Sequence, residues 1–413
     1  MKCFEEWEGS YRLKKTTLAV FIASSLLIGI HPSEAKATTI KKTYRITPKT
    51  EAIDPAIRKY TTYNAKTRNH YTMRSYLERL EKEGGGTLVL TKGTYLSPLR
   101  VGIPSNTTVI LEDGVIIKKT TETGTTKISS TTSVFDFVAP SVLRLDKKVG
   151  KYNGSQNVKL VGKGNAQIDL NQYARGSAFA IAHNQNLYIG GITVRNQKGS
   201  HAMELDATKK AVIENMKFVD AVMIPNTGPN ESINLDTPDP ITKGFNWKWS
   251  NQDGTPNEDI TIRNNLFRNI NVAIGTHQYT ENKLHTNVRI EKNTIDGTKD
   301  YAISMMNWEN PTLRYNTIRN VHRADGKAMT ILGRGVVGGT IRYNRLEDAD
   351  RAIQMQPFQS NGYAPIYNTF TADQKRYMQQ NTVKQVGLDQ IVLFKKLNEF
   401  TYKTAERYDF IPY

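Results

Sequence analysis

Acidic, amide and imidazole side chains recur at two fixed positions of a six-residue motif that the chain repeats. The third and fifth positions are apolar in nearly every copy. The fourth position holds Glu204 and then Asn234, and the sixth holds Asp206, Asp236 and then His277. Paired carboxylates beside an imidazole are the groups that perform general acid–base chemistry. The copies are HAMELD (201–206), ESINLD (231–236), VAIGTH (272–277), YAISMM (301–306), KAMTIL (327–332) and RAIQMQ (351–356).

The alternation within the motif predicts a β-strand with one buried face, so the fourth and sixth positions point outwards together. Stacked parallel strands lie about 4.8 Å apart, and positions two residues apart lie about 6.7 Å apart. Glu204, Asp206, Asn234, Asp236 and His277 then form one patch. Because adjacent aspartates repel, one of Asp206 and Asp236 is expected to keep a proton as general acid. The other aspartate, or Glu204, would act as base with His277 in support; the alternative is an unreactive solvated face.

The longest insertion between repeats, residues 237–258, leaves directly from Asp236. Long loops on a rigid scaffold commonly carry function. Its tryptophans, Trp247 and Trp249, are expected to stack on sugar rings, and its lysines would suit uronate carboxylates. The alternative is that the tryptophans only pin the loop to the scaffold. Further candidate substrate-binding residues, expected at the same edge, are Asn234, Asp239, Tyr279, His285 and Trp308.

Metal binding has two candidate residue sets in the sequence. Asp206, Asp236 and Asp239 could hold Ca²⁺ through oxygen ligands. The separation of His277 and His285 is not a usual zinc-ligand spacing. No cofactor is expected to be required. Arg334, within Gly333-Arg-Gly335, is either a lyase base or carboxylate clamp, or an exposed arginine in a turn.

Asparagines at one register of the repeat point to the elements that position these residues. Asn265, Asn293, Asn316 and Asn344 each stand two residues before an apolar residue, and Met216 holds that register in the first coil. Asparagine tolerates the left-handed conformation of a tight turn, and its amide can bond to the amide of the next coil. A stacked column of amides requires a solenoid. Short strands without intervening helices then predict an all-β, right-handed parallel β-helix.

The segment from Tyr71 to Thr120 contains a short amphipathic helix (71–83), Gly84-Gly-Gly86, Gly93-Thr-Tyr95 and Gly114. It resembles the opening of pectin-lyase-like β-helix proteins, which include polygalacturonases and pectate lyases. The resemblance implies a single-stranded right-handed parallel β-helix with an N-terminal capping helix. Hydrolases, lyases and non-catalytic proteins share this fold. The polygalacturonase signatures, an Asp-Asp pair, Gly-His-Gly and Arg-Ile-Lys, are missing, so the resemblance assigns no catalytic residue.

Composition changes divide the chain into four parts. Residues 1–37 have the basic start, short apolar run and small-residue cleavage site of a secretory signal peptide, with cleavage near Ala37. The apolar run is too short to span a membrane. We therefore expect a secreted mature chain without a membrane span. The remaining parts are an extended lead-in (38–70), the β-helix (71–360) and a C-terminal closing segment (361–413).

The net charge of +17 across 413 residues favours an anionic partner. For an exported protein without a nucleic-acid-binding motif, an acidic polysaccharide fits better than nucleic acid. The chain is expected to be a monomer. The main hypothesis is a secreted enzyme that hydrolyses a polysaccharide with its carboxylates. The alternatives are a Ca²⁺-assisted lyase, with Arg334 or a lysine as base, and a non-catalytic glycan-binding surface protein.

Overall fold

The computed structural model describes residues 41–224, 228, 230–360 and 362–411. The expected signal peptide lies outside the described residues. The described chain winds through three ladders of parallel strands, with one strand of each ladder in most coils. This is the predicted all-β parallel β-helix. Among the described residues, no helix is long and apolar enough to span a membrane.

Ladders 1 and 2 form two of the three faces of the coil. The strands of ladder 1 are Thr43–Ile46, Gly86–Leu90, Thr107–Leu111, Gln156–Gly162, Asn184–Gly190, Thr208–Glu214, Glu258–Arg263, Arg289–Glu291, Thr312–Arg314 and Thr340–Arg342, with His285–Thr286 and Trp308–Glu309 paired beside them. The strands of ladder 2 are Gly93–Ser97, Val115–Lys119, Gln167–Asp169, Thr193–Arg195, Lys217–Val219, Leu266–Ile270, Thr294–Thr298, Thr317–Val321 and the first parts of Arg345–Gln356 and Thr382–Leu393.

Ladder 3 contains the repeated motif. Its strands are Val101–Gly102, Ser133–Asp136, Ser177–Ile181, Met203–Leu205, Glu231–Asn234, Val272–Gly275, Ile303–Met306, Met329–Arg334 and the second parts of Arg345–Gln356 and Thr382–Leu393. Every pairing between strands of these ladders is parallel, and one antiparallel strand, Glu406–Tyr408, pairs with the last of them. The described helices are Pro55–Arg58, Arg68–Lys82, Pro140–Arg144 and Ala372–Met378.

Columns of aliphatic side chains inside the coil hold the ladders together. In ladder 1 the inward residue of each strand pairs with the inward residue of the next, and every member is at most 1% exposed. Burial of one such side chain is worth roughly 1.5–3 kcal/mol. This column is Leu88, Val109, Leu160, Ile189, Ile213, Ile262, Ile290, Leu313 and Ile341.

The predicted asparagine column is present at the corner between ladders 1 and 2. The Oδ1 of Asn293 accepts bonds from the backbone N and the Nδ2 of Asn265, both at 3.0 Å, and this arrangement repeats in the following coils. The column extends to Asn381, which was not among the asparagines predicted from the repeat. One detail of the prediction was wrong: the preceding residue, such as Lys292 or Tyr315, adopts the left-handed conformation. The asparagine side chain is thereby free to point inwards.

The capping helix runs from Arg68 to Lys82, three residues earlier than predicted at its start. Its Met73, Leu77 and Leu80 are fully buried against the first coils. The segment expected to be an extended lead-in contains structure of its own. Thr43–Ile46 is the first strand of ladder 1, since it pairs with Gly86–Leu90.

The described residues of the C-terminal segment, 362–411, form one more coil than the repeat pattern predicts. Thr382–Leu393 pairs in parallel with Arg345–Gln356 over its whole length. Glu406–Tyr408 then adds in antiparallel direction to the outer edge. An antiparallel strand and a helix at this end leave less of the last parallel edge open to other chains.

Candidate functional site

The strand register of ladder 3 places the predicted patch as expected in its first three coils. Glu204 pairs with Asn234, and Asn234 pairs with Gly275. Further along the register differs, because Ser304 pairs with Leu332 rather than with Thr330. A shift of two residues keeps every side chain on the same face, so the apolar alternation contains no information about it.

The outward-facing side chains of this patch are covered rather than solvated. Glu204 is 6% exposed, and Asp206, Asn234 and Asp236 are at most 1% exposed. Part of the cover comes from the loop that follows Asp236, where Gly244 packs against the start of the same loop and against the Asp236 side chain. A patch of buried carboxylates excludes the solvated-face alternative.

Two residues that the sequence reading did not select complete the cluster, which we define as His201, Glu204, Asp206, Glu231, Asn234, Asp236 and His277. The Nδ1 of His201 lies 3.1 Å from Glu231 Oε2, and the Nδ1 of His277 lies 3.8 Å from the same oxygen. The two imidazole rings stack with centroids 5.0 Å apart. His201 and Glu231 both occupy the first position of the motif. Strict alternation assigns that position to the opposite face.

Charge and burial act in opposite directions on the protonation of the cluster. Burial alone would lower the pKa of His201, but Glu204, Glu231 and Asp236 together raise it to about 10. Burial raises the pKa of Glu204. Burial would also raise the pKa of Glu231, yet the two imidazoles outweigh it and lower that pKa. The surroundings within the cluster therefore raise the pKa of one glutamate, Glu204, and lower that of another, Glu231.

Several buried polar atoms of the cluster make no hydrogen bond to any described residue. A buried carboxylate without partners is costly, so such a group usually meets a ligand, an ion or water. The atoms are Glu204 Oε2, Asp206 Oδ2, both carboxylate oxygens of Glu231, Asn234 Nδ2 and Asp236 Oδ2. Two of them, Glu231 Oε2 and Asp236 Oδ2, face an imidazole nitrogen at 3.1 and 3.3 Å.

The two predicted catalytic aspartates each use one oxygen to hold the next coil. Asp206 Oδ1 accepts the backbone N–H of Asp236 at 2.7 Å. Asp236 Oδ1 accepts the N–H groups of His277 and Gln278, both at 3.1 Å. Burial, with Glu204 and Asp236 adding to it, raises the pKa of Asp206 well above its usual range. Asp206 therefore tends to keep its proton. The second oxygen of Asp236, Oδ2, faces His277 Nδ1 at 3.3 Å.

The three aspartates proposed for Ca²⁺ do not share a set of free oxygens. Asp239 accepts hydrogen bonds at Oδ1 from two backbone N–H groups of its own loop. Its Oδ2 accepts from the hydroxyls of Thr280 and Tyr363, each at 2.5 Å. Asp239 therefore ties the loop to the scaffold, and its role as a calcium ligand is not supported by its surroundings. Among the described residues, the ligand atoms that do lie within 4.8 Å of one another belong to His201, Glu231 and His277.

Most of the aromatic candidates are inside the protein, which corrects the expectation that they project from the edge. Trp308 and Tyr279 are fully buried, and Trp249 is 2% exposed. Trp249 packs on Phe245 and donates its Nε1–H to Asp136, so it pins the loop. Trp247 alone is half-buried, with its ring stacked on Phe245.

His285 and Arg334 also differ from their expected positions. His285 is fully buried, and its Nδ1 accepts the backbone N–H of Asn257. Arg334 lies in the strand Met329–Arg334 rather than in a turn, and it is half-buried. Its Nη2 donates to Ser304 Oγ at 2.7 Å, and its guanidinium carbon lies 4.9 Å from the centroid of the Phe358 ring. Arg334 therefore approaches the cluster from two coils away.

An open cleft of about 400 Å³ adjoins the cluster at His277. Its walls come from the loop after Asp236 and from the segment around Phe358. The two walls are joined by the Tyr363 hydroxyl, which donates to Asp239 Oδ2 of the loop. The remaining lining residues are Ile241, Thr242, Gln278, Gln359 and Ser360.

Comparison with known proteins finds similarity in sequence to part of one curated protein and in fold to several solved structures. No protein-family model matches the chain. Over 231 residues it is 27% identical to the plasmin and fibronectin-binding protein A of Streptococcus pneumoniae (strain ATCC BAA-255 / R6), covering 52% of this chain and 31% of that protein. The match thus spans about a third of the length of the curated relative.

Two solved structures of PfbA, a surface adhesin of Streptococcus pneumoniae, align with most of the chain. One gives a TM-score of 0.58 at 18% identity and covers 85% of this chain and 80% of the other. The second gives a TM-score of 0.56 at 19% identity, covering 78% and 86%. Likeness at this identity shows the fold and no more. The chain is a right-handed parallel β-helix protein.

Proposed function

We propose that the protein is an extracellular surface or secreted protein that binds a polysaccharide in the cleft beside His277. The observation that carries this proposal is a polar cleft with unpaired groups, joined to a buried cluster. The hydroxyls of Thr242 and Ser360 make no hydrogen bond to a described residue, although both atoms are buried. Gln278 and Gln359 add carboxamides. Convergent polar groups around an aromatic ring are the usual means of orienting a small polar ligand.

The charge and the similar proteins support the partner and the location. A net charge of +17 favours a polyanion, so an acidic polysaccharide is the proposed ligand class. The relative is a plasmin and fibronectin-binding protein, and the similar structures are of a surface adhesin. The proposal that this protein also acts outside the cell as a binding protein follows that likeness.

The proposal is tested by titrating the purified chain calorimetrically with acidic and neutral polysaccharides. We expect an acidic polysaccharide to bind and the double variant Gln278→Ala/Gln359→Ala to bind it roughly tenfold more weakly, the equivalent of one or two lost hydrogen bonds. Gln390→Ala is the matched control, because the Gln390 side chain donates to Asp409 Oδ1 and does not line the cleft. Failure of every polysaccharide to bind, or equal affinity of the double variant, would contradict the proposal.

Glycoside hydrolysis is a second candidate, favoured by the placement of Glu204 and Asp236. The two residues stand on adjacent coils, diagonally across the register, and each has an unpaired oxygen. The diagonal of about 8 Å between such positions lies in the range of inverting glycosidases. New reducing ends from a bound polysaccharide, lost in Glu204→Gln and Asp236→Asn, would establish hydrolysis. Unsaturated products would establish the lyase alternative, and binding without any product would establish the non-catalytic protein.

A further inference from the structure

We propose that His201, Glu231 and His277 form a binding site for one divalent transition-metal ion of the zinc type. All three residues lie in the cluster, in consecutive coils of ladder 3: Glu231 begins its strand, His201 lies two residues before its strand and His277 two residues after its strand. Two imidazoles and one carboxylate are a ligand set that such ions prefer. Ca²⁺ prefers six to eight oxygen ligands, so the histidines argue against it.

The separations between the ligand atoms suit one small ion. Ligands at about 2.0–2.1 Å from a tetrahedral ion are about 3.3 Å from one another. The Glu231 oxygen lies 3.1 Å from His201 Nδ1 and 3.8 Å from His277 Nδ1, values on either side of that separation. The ligand atoms of all three residues lie within 4.8 Å of one another. Shifts of less than an ångström or so in two imidazole rings would complete the site.

Glu231 lies between the two imidazoles, which are its only ion-pair partners among the described residues. Its side chain is fully buried, and neither carboxylate oxygen makes a hydrogen bond. The absence of a side chain at Gly275 gives it room, because a Cβ there would lie 3.0 Å from Glu231 Cγ. A fully buried carboxylate needs a positive partner to offset the cost of leaving water; His201 supplies one at 3.1 Å, and a bound ion would take over that role.

Residues around the three ligands supply orientation and access. The other ring nitrogen of His201, Nε2, lies 3.9 Å from Glu204 Oε2, so a small movement of the ring would let Glu204 orient a metal-bound imidazole through a hydrogen bond. The side chain of His277 is 27% exposed and lines the cleft, so an ion has a path from solvent. In the metal-free protein His277 Nδ1 is 3.2 Å from Asn234 Oδ1, and this contact would give way to the ion.

The test is a metal-binding measurement on the purified chain, which is stripped with a chelator, reloaded with Zn²⁺ or Co²⁺ and dialysed to remove unbound ion. We expect one equivalent of Zn²⁺ per chain by elemental analysis. We also expect Co²⁺ to give the intense visible absorption of a low-coordinate site. Glu231→Gln and His277→Ala should each weaken Zn²⁺ binding by roughly 100-fold or more, since removal of an orienting residue alone costs 10–100-fold.

The matched control is His322→Ala. His322 lies between Asp348 and Asp350, so it has similar ligand types, but its side chain is 50% exposed and its carboxylate contacts are made on the surface. We expect this variant to bind Zn²⁺ as the parent chain does. Circular dichroism checks the fold, and His277, whose side chain is partly exposed, provides a variant that leaves no cavity in the core.

The proposal is overturned if the parent chain retains no stoichiometric metal, or if both Glu231→Gln and His277→Ala bind Zn²⁺ as tightly as the parent. Loss of binding in His322→Ala would also overturn it, by placing the ion at the surface. Because no polysaccharide is present in the measurement, the result is independent of glycan binding in the cleft.

Discussion

The buried imidazoles of this protein fall into two groups with opposite proton affinities. His201 lies among carboxylates, which raise its pKa to about 10 in spite of burial. His285 has no such neighbour, and burial lowers its pKa to about 3. One residue type is therefore used as a charged or ligating group in the cluster and as a neutral hydrogen-bond acceptor beneath the loop.

The neutral state of His285 predicts a loss of stability in acid. Its pKa in the folded protein lies below the unfolded value of about 6.5, so the folded state binds fewer protons. Stability is full above pH 6.5 and falls as the pH drops towards 3. At pH 5.5 the loss is about 1.4 kcal/mol from this residue.

Urea unfolding at pH 7.5 and 5.5 measures this loss. The variant His285→Asn keeps an acceptor for Asn257 N–H and should lose about 1.4 kcal/mol less than the parent between the two pH values. His322→Asn should not reduce the loss, because its bond to Asp350 raises the pKa of His322 and gives the opposite sign. Equal acid losses in His285→Asn and the parent would contradict the prediction.

Periodicity identified five of the seven residues of the cluster and assigned His201 and Glu231 to the opposite face. Glu204, Asn234 and Asp236 were predictable, because they occupy outward positions of regular strands. His201 precedes its strand, where alternation no longer applies, and Glu231 turns over Gly275 at the start of its own strand. The available signal was the charge at the first motif position, His in one copy and Glu in the next.

At the scale of elements, the asparagine column is the feature that ties coil to coil at one corner. Asn316 shows the pattern. Its Oδ1 accepts two bonds from Asn293, and its Nδ2 donates to Ile290 O and to Asn344 Oδ1. The column could be predicted from the sequence because asparagine recurs at one register of the repeat.

Replacement of one member should therefore be costly. We expect Asn316→Ala to lower the free energy of unfolding by about 3 kcal/mol, since several buried backbone and side-chain groups lose their partners. Asn246→Ala is the control, because Asn246 is exposed and accepts only a bond from Gln252 at 3.3 Å. Denaturant unfolding compares the two variants; similar losses in both would show that the column contributes little.

The loop and its aromatic residues show the limit of prediction for elements. Sequence identified the insertion after Asp236, yet its burial depends on distant residues. Phe245 and Trp249 pack on Val138 and Ala180, which lie in earlier coils. A local sequence pattern contains no information about such contacts. It therefore could not distinguish buried tryptophans from exposed ones.

At the scale of the whole molecule, each coil contacts mainly its neighbours, and the two ends need cover. The fold could be predicted because the same strand pattern recurs many times along the chain. The C-terminal coil was missed because Thr382–Leu393 lacks the motif, although it pairs along the whole of Arg345–Gln356. The strand is held there by backbone pairing with the edge of the preceding strand, which does not depend on the motif.

The last coil should therefore be required for a monomeric fold. A chain ending after Phe370 loses the strand Thr382–Leu393 and exposes the edge of Arg345–Gln356. We expect it to self-associate and to unfold at lower denaturant than the full chain. A chain ending after Leu397 keeps that strand and serves as the control. Size-exclusion chromatography with light scattering distinguishes them, and a stable monomer ending at Phe370 would contradict the prediction.

Parallel stacking also converts coil number into distance. From Glu231–Asn234 in the cluster, ladder 3 takes five steps to its last parallel strand, Thr382–Leu393. At about 4.8 Å a step, this is roughly 24 Å along the axis. Substitutions leave this length unchanged, whereas gain or loss of a whole coil alters it in fixed increments. The distance from the cleft to the C-terminal end of the solenoid is therefore fixed by the number of coils between them.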